Sequence, residues 1–178
     1  ELPKVCESVN LPFQAGDDEV LARMRRGYTR QEYLEKIEEV RAEITGVTLT
    51  TDLIVGFPGE TTRQFERTLE ILEAVRFDKV HSAAYSERPG TIAARKLPDD
   101  VSRDEKKRRL KAVAEMQERI GAEINAALLD AAFDVLVDSH ARDRRQGRTR
   151  GDKLVYIKDT RPNLGEMVRV RISGSTPW

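Results

Sequence analysis

Three Ser/Thr residues, each followed three positions later by Glu or Gln, mark where the helices of this chain begin: Thr29 with Glu32, Thr61 with Gln64, and Ser102 with Glu105. This spacing lets the hydroxyl accept the amide of the third helical residue while that residue's side chain reaches back to the capping amide. Apolar residues recur at helical spacing behind each signature. They are Tyr33, Ile37, Val40 and Ile44 in the first helix, and Phe65, Leu69, Leu72 and Val75 in the second. In the third, a long charged helix reaching about Leu128, they are Leu110, Val113, Met116, Ile120, Ile124 and Leu128. A shorter helix is expected over Asp17–Arg26. Strand-like runs precede the helices at Val5–Leu11, Val47–Val55 and Lys79–Tyr85, the second ending in an apolar run, as a buried parallel strand does. Strand, turn and helix repeating in this order predict an α/β fold with a parallel sheet. Right-handed crossovers then place all three strand-to-helix turns on the carboxyl edge of that sheet.

Past residue 128 the periodicity changes from helical to two. Phe133, Val135 and Val137 alternate, Lys153–Lys158 is β-like, and Met167, Val168, Val170 and Ile172 form a last strand. Short strands with glycine turns predict a small antiparallel β-barrel, OB-like, over 129–178, after an α/β unit over 1–128. Net charge is zero, but residues 129–178 carry ten Lys/Arg against seven Asp/Glu, so the basic character lies in this second unit. With one cysteine, Cys6, no intramolecular disulfide can form. No signal-like segment and no apolar run of membrane-spanning length is present, so a soluble, cytoplasmic chain without membrane contact is expected. The start at Glu1 without Met and the end at Trp178 are read as cuts in a longer protein.

Three strand-end loops combine Gly or Pro with polar side chains: Leu11–Asp18, Gly56–Thr61 and Tyr85–Thr91. Glycine lets backbone approach a ligand, and amides opening a following helix suit an anionic or carboxylate group. Any one of these loops is also what an ordinary strand-to-helix turn requires; three on one edge favour a ligand site. Asp52 interrupts an apolar strand, either as a structural acceptor or as a contact to a ribose hydroxyl or an amine. Tyr85 and Arg88 are either a pair at the edge of a pocket or loop anchors. His81, His140 and Cys6 have no partners at ligand spacing, so no metal site is expected. Arg142, Arg144, Arg145, Arg148 and Arg150 fall within nine residues, with Lys153 and Tyr156 just after. On a β-barrel hairpin this pattern suits an RNA backbone, and a solvated charged face is the alternative.

Together these segments resemble the radical-SAM methylthiotransferases. Leu11-Pro12-Phe13-Gln14-Ala15-Gly16-Asp17-Asp18, followed by Val20-Leu21, Met24 and Arg26-Gly27-Tyr28-Thr29, is similar to that family's LPxQSGSDxVLxxMxRxYT segment. Thr51–Thr61 resembles TTDxIVGFPGET, and Tyr85–Thr91 resembles YSxRPGT. Gly147–Arg150, Lys153–Val155 and Gly165–Ile172 resemble the TRAM domain, a small RNA-binding β-barrel.

The resemblance implies the C-terminal half of a partial (βα) barrel followed by a TRAM domain. It implies S-adenosylmethionine and two 4Fe–4S clusters in the full-length parent, with tRNA, at the anticodon stem-loop, as partner. Gln14, Asp52 and Gly56 are the residues expected at S-adenosylmethionine, with Tyr85 and Arg88 at the pocket edge. Arg142, Arg144, Arg145, Arg148, Arg150, Lys153 and Tyr156 are expected at RNA. The arginine-rich start of the β unit and the ending Gly174–Trp178 look most like the branch that converts isopentenyladenosine to its 2-methylthio derivative. The threonylcarbamoyladenosine and ribosomal-protein branches are competitors, as are a non-enzymatic RNA-binding module and an α/β scaffold for another cofactor. The chain departs from the pattern in its cysteines, because a cluster loop needs three and Cys6 stands alone. By this reading the piece holds no cluster and no catalytic residue and is inactive alone. The family's two QSGSD serines are Ala15 and Asp17 here. A half barrel leaves an apolar strand edge, from which a dimer or marginal stability is expected.

Overall fold

In the computed structural model, which describes residues 5–141, 144–159 and 161–178, a long helix joins two sheets of opposite kind. The first is parallel, in the order β1 (Ser8–Asn10), β2 (Thr48–Val55), β3 (Lys79–Ala84). Helices α1 (Asp18–Arg23) and α2 (Arg30–Glu43) connect β1 to β2, and α3 (Thr62–Val75) connects β2 to β3. The short α4 (Ile92–Lys96) and the long α5 (Arg103–Ala126) follow. The second sheet is antiparallel, built from β4 (Ala132–Ala141), β5 (Arg144–Thr149), β6 (Leu154–Ile157) and β7 (Met167–Arg171) in the order β6-β5-β4-β7. The fold is therefore α/β, part of a parallel barrel, with a small antiparallel β unit after the long helix.

The helix-start signatures at Thr29 and Thr61 form complete, reciprocal capping boxes. The third is half a box. Ser102 accepts the Glu105 amide at 3.2 Å, but the Glu105 carboxylate turns to Arg108 and Arg109, each at 2.7 Å. Charge-assisted bonds to two guanidinium groups outcompete one neutral amide.

Strand β2 is buried on one face. Leu49, Thr51, Leu53 and Val55 are buried, while Thr50, Asp52 and Ile54 between them are not. Helices cover one side of the sheet only. There Leu49, Leu53 and Val55 pack with Phe13, Tyr33, Ile37, Phe65, Ile71, Leu72 and Phe77 into the main core, and α5 closes it with Val113. The other face is open and polar. Asn10 pairs in register with Thr50, and Asp52 with His81.

The β unit has a smaller core of Val135, Val137 and Ile157, with Phe133, Val155, Val168 and Val170 packed on it. Its β5–β6 turn docks on the amino-terminal ends of the parallel strands. Thr48 donates to the Gly151 carbonyl at 2.7 Å, Arg150 bridges to Glu7 at 2.7 Å, and Lys153 meets Asp78 at 2.7 Å. The chain's end is held against α5, where Asn125 donates to the Thr176 carbonyl at 2.9 Å. The passage between the two sheets falls between α5 and β4.

Candidate functional site

The loop after β1 runs on beside β2 as an irregular continuation of the strand. The Leu11 amide donates to the Thr50 carbonyl at 2.9 Å and the Gln14 amide to the Asp52 carbonyl at 3.0 Å, while the Gln14 carbonyl accepts from Ile54 at 2.9 Å. Gln14 has φ of 66°, in the left-handed region, and its side chain is largely buried. The next turn is possible only with glycine. A Cβ on Gly16 would lie 2.4 Å from the Arg67 carbonyl oxygen and 2.5 Å from Thr68 Cα. Asp17 then caps α1 and is held by Gln64 at 3.0 Å and Arg67 at 2.9 Å.

The loop after β2 turns at Gly56, with φ of 69°, and folds back through Glu60. The Glu60 carboxylate accepts the Gly56 amide at 2.5 Å and Arg109 of α5 at 2.8 Å. Both partners are almost sealed, Glu60 being 4% and Arg109 2% exposed. Burial pushes the Glu60 carboxyl above the ordinary carboxylate range, against the opposing pull of the Gly56 amide and Arg109. The bare Cα of Gly56 is covered from within the chain, since a Cβ there would meet Lys106 Cγ at 2.4 Å. The Gly56 amide is thus taken by Glu60 and its Cα face is covered by Lys106.

The loop after β3 begins with Tyr85, whose amide continues the ladder to the Val55 carbonyl at 2.8 Å. Its ring packs edge-on against Phe57, centroids 5.1 Å apart, and lies 5.2 Å from Lys106 Nζ. Lys106 is itself neutralised by Asp99 at 2.5 Å. The Tyr85 hydroxyl is buried without a hydrogen-bond partner among the described residues. Burial, then the charges of Glu87 and Asp99, push this phenol upward. Arg88 is exposed on the loop, its carbonyl accepting from Thr91. Asp52 lies on the open sheet face, where it accepts from Asn10 at 2.9 Å, and Thr50 donates to the other end of the same Asn10 amide at 3.0 Å.

The structure therefore brings Gln14, Asp52, Gly56 and Tyr85 to one edge of the parallel sheet. It adds Asn10, Thr50 and His81 on the open face and Lys106, Glu60 and Arg109 behind it. Glu60 could be suspected from its place in the Gly56–Thr61 loop; nothing in a charged helix singles out Lys106 or Arg109. The Asp52 carboxylate and the Asn10 side-chain amide on an open polar face suit a small polar ligand with hydroxyl and amine groups, as S-adenosylmethionine has. An iron–sulfur cluster does not fit these residues. Cys6 lies before β1, at the end of the sheet opposite the loops, and no group of three or more His, Cys, Asp or Glu side chains gathers at metal-holding distance among the described residues.

On the β unit the expected RNA residues divide. Arg145 donates to the Pro162 carbonyl at 2.8 Å, and Arg148 pairs with Asp152 at 2.9 Å and Asp138 at 3.5 Å. Arg150 and Lys153 are engaged with the α/β unit, through Glu7 and Asp78. Arg144 lies 5.5 Å over the Tyr156 ring, which is 53% exposed. Arg142 lies outside the described residues. Met167, Leu136, Arg148 and Leu154 are successive register partners across all four strands, every one exposed, so the outer sheet face carries an apolar row with a cation in it.

Comparison with known proteins gives the chain's relatives. Residues 1–72 match the Radical SAM superfamily. Over 177 residues, 99% of this chain, the sequence is 46% identical to the tRNA-2-methylthio-N(6)-dimethylallyladenosine synthase of Dehalococcoides mccartyi strain CBDB1. The chain carries a radical-SAM segment and is similar over nearly its whole length to this synthase. Synthases of the same name from Roseiflexus sp. strain RS-1 and Herpetosiphon aurantiacus are 47% and 46% identical over 100% and 99% of the chain. The chain spans about two fifths of the length of these curated relatives, 42%, 38% and 41% respectively. Among solved structures, the radical SAM enzyme coproporphyrinogen III oxidase from Escherichia coli superposes with a TM-score of 0.55 over 65% of this chain and 27% of its own, at 23% identity. That likeness concerns the fold alone.

Proposed function

We propose that this chain forms the second half of the radical-SAM barrel and the TRAM-type RNA-binding unit of a tRNA methylthiotransferase. The parent enzyme would convert isopentenyladenosine next to the anticodon to its 2-methylthio derivative. The observation that carries this reading is identity of 44–47% to dimethylallyladenosine synthases along nearly the whole chain, through the loops that line the sheet edge. S-adenosylmethionine and two 4Fe–4S clusters are the cofactors proposed for the parent, which works in the cytoplasm where tRNA is found. Among the described residues no helix is long and apolar enough to cross a membrane.

S-adenosylmethionine supplies, when bound, the carbon-centred oxidant and the methyl group. The chain's own residues bind and orient it. Asp52 would take a hydroxyl or amine group on the open face, Gln14 and Tyr85 are proposed at the edge of the same pocket, and the Glu60–Arg109 pair holds the Gly56 turn that shapes the edge. The clusters draw no ligands from these residues, so the chain alone is proposed to be inactive. Tyr156, with Arg144 above its ring, is the proposed RNA-stacking group of the β unit. Pairing of two copies through the outer edge of β3 remains an expectation that sedimentation tests.

A chimera tests the function. This chain replaces the matching segment of the Dehalococcoides relative, and the purified protein is assayed anaerobically on three substrates. These are RNA hairpins carrying isopentenyladenosine or threonylcarbamoyladenosine, and a ribosomal-protein peptide. Methylthiolation of the first alone is expected. Modification of either other substrate instead would move the chain to that branch.

A further inference from the structure

A cavity of about 300 Å³ opens between α1, the loop after β2 and α4, and none of the candidate ligand-site residues on the sheet edge lines it. Its floor is apolar, with Ile54, Phe57 and Leu97, and its rim carries Arg23, Arg25 and Arg26. Among the described residues no aspartate or glutamate lines it. Ile54 alternates with Asp52 on the open face of β2, so the cavity adjoins the sheet edge that carries the candidate ligand site.

The three arginines differ from those of the β unit. Arg145, Arg148, Arg150 and Lys153 all have protein partners. Arg25 and Arg26 are exposed, and neither side chain has a hydrogen bond or ion pair among the described residues. Arg23 donates to the Gly59 carbonyl at 3.3 Å and to Gln64 at 3.4 Å, yet its Nε is buried with no partner among the described residues. A buried guanidinium nitrogen left unmatched beside two unpaired cations is costly unless an anion comes to them. Guanidinium groups match phosphate oxygens in a fork geometry, and an apolar floor takes the face of a base.

We propose that this cavity binds one nucleotide of the RNA, the base against Ile54, Phe57 and Leu97 and the phosphates on Arg23, Arg25 and Arg26. It thereby anchors the strand beside the nucleoside presented to the open sheet face. The inference rests on RNA being the substrate. It moves part of the electrostatic binding from the basic run of the β unit to the mouth of the α/β unit, at the opposite end of the parallel sheet from the docked β5–β6 turn.

The side chains can be changed without removing the fold's own bonds. The Arg25 amide donates to the Ala22 carbonyl at 3.0 Å and the Arg26 amide to the Leu21 carbonyl at 2.9 Å, so the backbone alone ends α1. The test measures binding of a fluorescent RNA stem-loop to the 178-residue chain and to Arg25→Gln/Arg26→Gln, by anisotropy across a salt series. The double variant should bind about ten-fold more weakly at ~0.1 M salt, with a shallower salt slope by roughly 0.7 for each phosphate no longer neutralised. An abasic nucleotide in the loop should weaken the original chain more than the variant. A variant that melts like the original and binds with unchanged affinity and slope overturns the proposal and leaves the RNA reading standing. An original chain that does not bind the stem-loop at all overturns both. Competition by S-adenosylmethionine for the bound RNA would assign the cavity to the cofactor and also overturn the proposal. Should the double variant fail to fold, the single Arg26→Glu is read by the same salt series, with a loss of affinity supporting the proposal and none opposing it.

Discussion

Arg109 of α5 and Glu60 of the loop after β2 form an ion pair 2.8 Å long inside the protein, the arginine also donating to the Glu60 backbone carbonyl at 3.1 Å. Removing one member of such a pair strands the other charge away from water, at a cost of about 3–5 kcal/mol. Arg109→Met should lower stability by that amount in urea unfolding. Adding Glu60→Gln removes the stranded carboxylate while keeping an acceptor for the Gly56 amide. The double variant should therefore recover part of the loss. A double variant no better than Arg109→Met would mean that the pair acts mainly through the packing of Arg109 on Phe65, whose ring lies 5.3 Å away.

Gly16 and Gly46 predict opposite behaviour on substitution by alanine. Backbone surrounds Gly16 at 2.4–2.5 Å, and neither Arg67 nor Thr68 can yield without moving α3. Gly16→Ala should cost about 3 kcal/mol, at the upper end of overpacking costs. Gly46 has φ of 70° but nothing within 4 Å of an added Cβ, so Gly46→Ala should cost about 1 kcal/mol of backbone strain alone. Because Gly16 also donates to Thr68 at 2.9 Å and leads into the Asp17 cap, its variant should loosen the loop that carries Gln14. Amide exchange across residues 11–18 reads that directly.

The order of elements was legible because capping boxes and apolar spacing are local signals. So was the sheet edge, since three strand-ending loops with right-handed crossovers leave little choice. Which face of β2 is open was not legible. An alternation of Thr, Leu, Asp and Val reads as apolar until one knows that helices cover only one side. Nor could the fate of the basic run be read. Arg150 and Lys153 belong to that run in sequence, but Glu7 and Asp78 are brought to them by a docking of two units that no local pattern encodes. Lys106 and Arg109 were lost among the charges of α5 because burial of a charged side chain depends on what the helix packs against.

Acid should destabilise the chain through the start of α5. Bonds from Arg108 and then Arg109 hold the Glu105 carboxyl down from 4.5 to about 2. A carboxyl depressed in the folded state lends stability that is complete above its unfolded value and is lost as pH falls through the folded one. The urea midpoint should therefore drop between about pH 4.5 and pH 2, and Glu105→Gln should flatten that part of the profile while lowering the plateau near neutrality. Glu7 and Glu123, also lowered by arginine partners, act in the same direction, so some slope should persist in the variant. A profile unchanged by Glu105→Gln would count against the Arg108–Glu105–Arg109 bonds as a source of stability.

Lys153 and Tyr156, three residues apart, should separate the joining of the two units from the binding of RNA. Lys153 sits between Asp78, at 2.7 Å, and Asn125, at 2.9 Å, and Asp78 also accepts the Leu49 amide at 2.8 Å. The lysine thus ties the β unit to the amino-terminal end of the parallel sheet, and its cation is already matched. Lys153→Met should lower stability by about 1–3 kcal/mol by leaving Asp78 short of a partner in a half-buried setting, with little change in the salt dependence of RNA binding. Tyr156 is exposed and makes no such tie, so Tyr156→Ala should leave unfolding near the original while weakening RNA binding by about 1–3 kcal/mol if a base stacks on it. Unfolding curves and anisotropy titrations on the two variants check this together. Equal loss of RNA affinity in both would place Lys153 at the RNA after all, and would require the Asp78 contact to open when RNA binds.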